Sequence, residues 1–273
     1  MFALYSYALI NVKLKKDRVK SLRELFYSHE GRLVHKWDHY FEIYEKYFLK
    51  YVGKKLNILE IGISHGGSIE LWKKYFGNEV NIYAIDINPQ CLKFEEDNVK
   101  IFIGSQEDKV FLEKIFNELP ELDIVIDDGG HTMNQQIISF EHLYSKVREG
   151  GVYLVEDTHT SYWYEFHGGL KNKNSFIEYS KDMIDSLYEW HLPADNSLNV
   201  NEITKHINSI SFYDSIVVFE KRKRSPPFHI KKGEETIISY EAKELKRKNL
   251  FIKIKEFFVG GNQTFRHNDR GRL

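Results

Sequence analysis

The feature that most constrains this chain is an alternation of short apolar runs with amphipathic segments through its middle. LNILEIG (56–62), VNIYAID (80–86), VKIFIGS (99–105), LDIVIDD (122–128) and VYLVED (152–157) each have the length and β-branched content of a buried strand. Between them, SIELWKKYF (68–76), PQCLKFEED (89–97), EDKVFLEKIFNEL (107–119) and MNQQIISFEHLYSKV (133–147) carry apolar residues at helical spacing. The glycines of REGG (148–151) are expected to stop the last of these helices. Strands alternating with such helices build βαβ units. The pattern predicts an α/β, Rossmann-like fold, a mostly parallel sheet with helices on both faces. INSISFYDSIVVFEKRK (207–223) has two β-rich runs around Tyr213-Asp214, which predicts a closing hairpin and an antiparallel last strand in a seven-stranded sheet. Residues 1–50 form a helical, aromatic cap in this reading, 51–223 the α/β domain and 224–273 a basic extension.

Composition narrows the class. The single Cys91 cannot form an intrachain disulfide or a Cys-rich metal site, which points to a reducing, cytoplasmic setting. No apolar run approaches the roughly 20 residues of a membrane span. MFALYSYALI lacks the basic leader and cleavage site of a signal peptide. The formal net charge of −1 argues against a dedicated nucleic-acid binder, but it is a cancellation. Residues 221–273 hold fifteen Lys/Arg against six Asp/Glu, and the first 220 hold 24 against 34. Such a tail suits an anionic partner, or it is a solvated amphipathic helix closing on the body or a second subunit. The apolar faces at both ends are compatible with a homo-oligomer.

In an open parallel sheet, ligands bind beyond the carboxyl ends of the strands. Here those ends read Glu60-Ile61-Gly62-Ile63-Ser64, Asp86, Gly104-Ser105-Gln106, Asp127-Asp128 and Glu156-Asp157. The Gly62–Ser68 loop is neither G-x-G-x-x-G nor a P-loop, which disfavours a nicotinamide-dependent oxidoreductase. It is nonetheless a turn that admits a ligand against the backbone. Asp86, 24 residues after Gly62, suits the hydroxyls of a ribose. IDDGGH (126–131) and VED (155–157) bring three carboxylates to neighbouring strand ends, a donor set for a hard cation such as Mg²⁺. His131, three residues after Asp128, can face the same pocket as a general base. THTSYWYEFHGG (158–169) adds His159, Tyr162, Trp163 and His167, residues that stack on or hydrogen-bond to a sugar or else pack a structured loop. Trp37, Trp72 and Cys91 read as packing residues.

The E-x-G loop, the strand-two acid and the reversed last strand resemble class I S-adenosylmethionine-dependent methyltransferases. DDGGH…VED, with HKWDHYFEIYEKYF (35–48) upstream, resembles more specifically the metal-dependent sugar O-methyltransferases of macrolide biosynthesis and relatives proposed to act on cell-surface polysaccharide. The resemblance covers about residues 30–223. It implies S-adenosylmethionine and Mg²⁺ as cofactors, Asp128, Glu156 and Asp157 as metal ligands and His131 as catalytic base. Glu60, Gly62, Asp86, Gln106 and Asp127, with Ser64 and Ser105 beside them, fall on the cofactor side. Lys36 and Tyr40 fall in a segment that folds over the cofactor. The implied acceptor is a sugar hydroxyl, on a nucleotide-linked sugar, a glycan or a natural product. A catechol-type O-methyltransferase with the same metal logic, or a non-catalytic methyltransferase-like protein binding through its basic tail, are the alternatives. The short N-terminus and the tail depart from the antibiotic enzymes.

Overall fold

The computed structural model describes residues 20–192 and 202–237. Most of the basic extension and the first part of the cap lie outside these residues. A seven-stranded sheet runs in the order β3-β2-β1-β4-β5-β7-β6. Its strands are β1 Leu56–Ile61, β2 Val80–Asp86, β3 Val99–Ile103, β4 Leu122–Asp127, β5 Val147–Val155, β6 Ile207–Phe212 and β7 Val217–Lys221. β1 through β5 are parallel, and β7 is antiparallel to β5, as the hairpin pattern predicts. The order reverses between β1 and β4, so the switch point lies beyond Ile61 and Asp127.

Helices cover both faces because the strands bury both of their sides. Ile58, Ile124, Ile126 and Leu154 pack on one face, against α1 (Leu22–Tyr27), α2 (Tyr40–Phe48) and α3 (Gly67–Phe76). Leu59, Ile61, Val125 and Val155 pack on the other, against α4 (Lys109–Glu118), α5 (Met133–Leu143) and α6 (Phe176–Tyr188). The described part of the cap therefore shares its core with the sheet. Tyr44 and Phe48 stack one helical turn apart at 5.6 Å, and Trp72 meets Tyr44 edge-on at 5.6 Å. Trp72 is fully buried, as expected, and so is Cys91.

Four details differ from the sequence pattern. Residues 89–97 form only a 3₁₀ helix over Pro89–Phe94, capped by the Asn88 side chain. α5 ends at Leu143, a 3₁₀ turn covers Tyr144–Lys146, and β5 begins at once at Val147. The glycines of 148–151 therefore do not stop the helix. They sit inside β5, where its register with β4 shifts and Gly150 takes a φ of 80°. α6 was hidden in a stretch without clear signals, although Ser175 caps it by accepting from the Glu178 amide. Trp37 is not a core residue: it is 53% exposed.

Candidate active site

The first piece of the site is the turn after β1. Gly62 has a φ of 84°, and a Cβ there would lie 2.1 Å from the Asp128 carbonyl oxygen. Only glycine lets the two strand-end loops touch. The Asp86 carboxylate then gathers the loop by accepting from the amides of Ile63, Ser64 and Asn88 at 3.0, 3.0 and 2.8 Å. Glu60, buried beneath the turn, accepts from the Ser68 hydroxyl at 2.8 Å. Burial lifts its carboxyl to about 7 despite the nearby Lys36 charge.

The second piece is the DDGGH loop after β4. Gln106 donates to Asp127 Oδ1 and to the Ser139 hydroxyl, both at 2.9 Å, and accepts the Gly130 amide at 2.8 Å. A Cβ on Gly129 would sit 1.7 Å from Gln106 Oε1, so the loop closes over this amide only as glycine. Asp127 is fully buried, and burial pushes its carboxyl up to about 7. Asp127 and Gln106 thus lie under the loop and shape it. Ser105 sits in the turn leading to α4, its side chain accepting from the Glu107 amide at 3.4 Å.

The third piece comes from Glu156 and Asp157 of VED and from residues 33–37, the strap before α2. Lys36 enters between two carboxylates, its Nζ 2.5 Å from Asp128 Oδ2 and 2.9 Å from Glu156 Oε2. Burial alone would lower the ammonium, but Asp128 and Glu156 outweigh it and hold it above its usual range. Glu156 also accepts from the Tyr44 hydroxyl at 2.6 Å. Its burial, and Asp128 beside it, raise its carboxyl to about 8 against the pull of Lys36. Asp157 takes a left-handed φ of 50° and turns outward, where Tyr40 donates to its Oδ1 at 2.6 Å.

These pieces enclose a cavity of about 270 Å³ lined by the strap, the glycine turn, Asp128, His131, Glu156 and Asp157. His131 also has a left-handed φ, 57°, and its Nε2 lies 3.7 Å from Asp128 Oδ1 and 3.4 Å from Asp157 Oδ2. Burial lowers its pKa, with Asp128 and Asp157 opposing, so the imidazole tends to the neutral form a base requires. Ligand atoms of Asp128, His131 and Asp157 lie within 4.8 Å of one another, and His131 Nδ1 has no hydrogen-bond partner among the described residues. Mixed carboxylate and imidazole donors converging on one point fit a divalent cation. Glu156 stands apart from that cluster, engaged by Lys36 and Tyr44.

Of the aromatic loop, His159 faces Asp157, its Nδ1 3.9 Å from Oδ1, and Tyr162 and Trp163 are half exposed. His167 is separated from this cavity and lines a different groove with Met133 and His142. Sequence reasoning missed Tyr44 and Tyr153, which hold Glu156 and Asp127. Tyr44 was within reach of it, four residues after Tyr40 on one helical face.

No protein-family model matches the chain. It is 32% identical over 188 residues, 65% of this chain and 47% of the other, to demethylmacrocin O-methyltransferase of Streptomyces fradiae. It is 28% identical over 194 residues, 68% of this chain and 51% of the other, to 8-demethyl-8-alpha-L-rhamnosyl tetracenomycin-C 2'-O-methyltransferase of Streptomyces olivaceus. The chain spans about half the length of these curated relatives. Among solved structures, MycE methyltransferase from the mycinamycin biosynthetic pathway in complex with Mg and SAH aligns with a TM-score of 0.69 at 27% identity, covering 85% of this chain and 61% of that one. Among the described residues no helix is long and apolar enough to cross a membrane.

Proposed function

We propose, from its similarity to the O-methyltransferases named above, that the chain transfers a methyl group from S-adenosylmethionine to a sugar hydroxyl with the help of a divalent cation. The observation that carries the reading is the convergence of Asp128, His131 and Asp157 at a cavity whose far wall is the glycine turn. Asp86 accepts from two amides of the glycine turn and one of its own loop, which fixes it at the edge of that turn.

Asp128 and Asp157 would hold the cation, with His131 beside it. The cation supplies Lewis acidity that makes an otherwise weakly acidic hydroxyl easier to ionise. His131 takes the proton as the hydroxyl oxygen attacks the methyl carbon, whose bond to sulfur breaks. Tyr40 fixes Asp157 in its outward conformation, and Lys36 fixes Asp128 from behind. The named substrates of the relatives favour a glycoside as acceptor over a nucleotide-linked sugar or polysaccharide.

The test is transfer of labelled methyl from S-adenosylmethionine to a panel of rhamnosides, other glycosides and nucleotide-linked sugars. Transfer is expected with Mg²⁺, lost in excess chelator and restored by added Mg²⁺. Full activity in chelator would remove the cation from the reading. Cofactor binding without transfer to any sugar would remove the acceptor class.

A further inference from the structure

The strap sends consecutive residues to opposite sides. Lys36 is buried among the carboxylates, while Trp37 lines the mouth of the same cavity with half its surface exposed. The Trp37 ring stands edge-on to His159 at 6.1 Å. His159 in turn stands 4.7 Å from Trp163, which is 48% exposed. Since His159 Nδ1 is 3.9 Å from Asp157 Oδ1, three aromatic rings form a continuous wall leading outward from the cation-binding cluster. Two indoles left open beside a polar site are costly to hydrate and suited to a ligand with one apolar face. A pyranose ring is such a ligand: its C–H face lies on an aromatic ring while its hydroxyls point to the rim.

We infer that Trp37, with His159 and Trp163, is the acceptor subsite, and that it stacks the pyranose ring whose hydroxyl faces His131. This rests on the sugar-methyltransferase reading above. Trp37 is then a binding residue delivered by the same strap that places Lys36.

The experiment compares the protein with Trp37→Ala and Trp37→Phe, using methyl α-L-rhamnopyranoside as probe. The readouts are KM and kcat for methyl transfer, cofactor affinity by calorimetry, and mass by light scattering. Covering about 50 Å² of C–H surface corresponds to roughly tenfold in affinity. Trp37→Ala should therefore raise KM about tenfold with kcat and cofactor affinity held within about twofold, and Trp37→Phe should recover most of the loss. An unchanged KM in Trp37→Ala overturns the inference. So does an equal loss in Trp37→Phe, a parallel fall in cofactor affinity, or a change of mass with KM intact. If the unmutated protein methylates no sugar at all, the reading beneath the inference fails first, and the inference with it.

Discussion

Two pairs of adjacent acids, Asp127-Asp128 and Glu156-Asp157, have the same chemistry and opposite fates. The first member of each pair is buried and held by protein groups, Asp127 by Gln106 and Tyr153, Glu156 by Lys36 and Tyr44. The second member of each opens into the cavity, with side chains 21% and 23% exposed. Asp127-Asp128 straddles the end of β4, where the alternation of side chains sends neighbours to opposite sides. Glu156-Asp157 instead lies just past β5 and is parted by the left-handed φ of Asp157. Burial raises the carboxyls of the inner two, to about 7 and about 8. Asp127 is thus closed off beneath its loop. Glu156 still lines the cavity beside Asp128 and Asp157, which are themselves held by Lys36 and Tyr40. Equal content of carboxylate at two positions says nothing about which will do chemistry.

The sharpest way to break this division is at the outer layer. His131→Ala should lower turnover by about 10²–10⁴-fold while leaving cofactor affinity intact, as expected for loss of a general base. Calorimetry with Mg²⁺ on the same variant sharpens the assignment. Unchanged metal affinity keeps His131 as base, and a tenfold or larger loss makes it a ligand with Asp128 and Asp157.

At the inner layer the expected effect is on stability. Lys36→Met strands Glu156 and half of Asp128 without their counter-ion, and removing one partner of a buried pair costs about 3–5 kcal/mol. Urea unfolding at pH 7 without divalent cations measures it, and added Mg²⁺ should return part of the loss by binding only the folded state. Unaltered stability would mean that the buried carboxylates do not depend on Lys36.

A smaller, pH-dependent effect is expected at Glu60, which belongs to the inner layer but to neither pair. Its folded pKa, about 7, lies above its ordinary 4.5, so the folded state binds the extra proton between those values. Stability should fall as pH rises from about 4.5 to 7 and then level off, by roughly 3 kcal/mol from this group. Glu60→Gln, which mimics the protonated acid, should flatten that slope in unfolding curves taken at successive pH values. A variant with the same slope as the unmutated protein would place the titration elsewhere.

Much of the fold was legible because its signals are local. Buried strands announce themselves as apolar runs, and Gly62 marks a turn that no other residue could make. The same locality misled at REGG, where glycines that read as a helix stop accommodate a register shift set by the partner strand. It failed at Trp37, since a tryptophan beside an aromatic helix looks like core until the direction of the strap is known.

By itself, the sequence determined the order of elements, the strand-end positions of the acids and the proximity of His131 to Asp128, because these follow from backbone periodicity and short spacing. Only the tertiary structure decided which acid of each pair is inner, that Lys36 reaches Asp128 and Glu156 across 92 and 120 residues, and that His167 faces away. Those outcomes depend on burial and on long-range electrostatics. A charge leaves water only where a distant partner compensates it, and sequence spacing does not record that meeting.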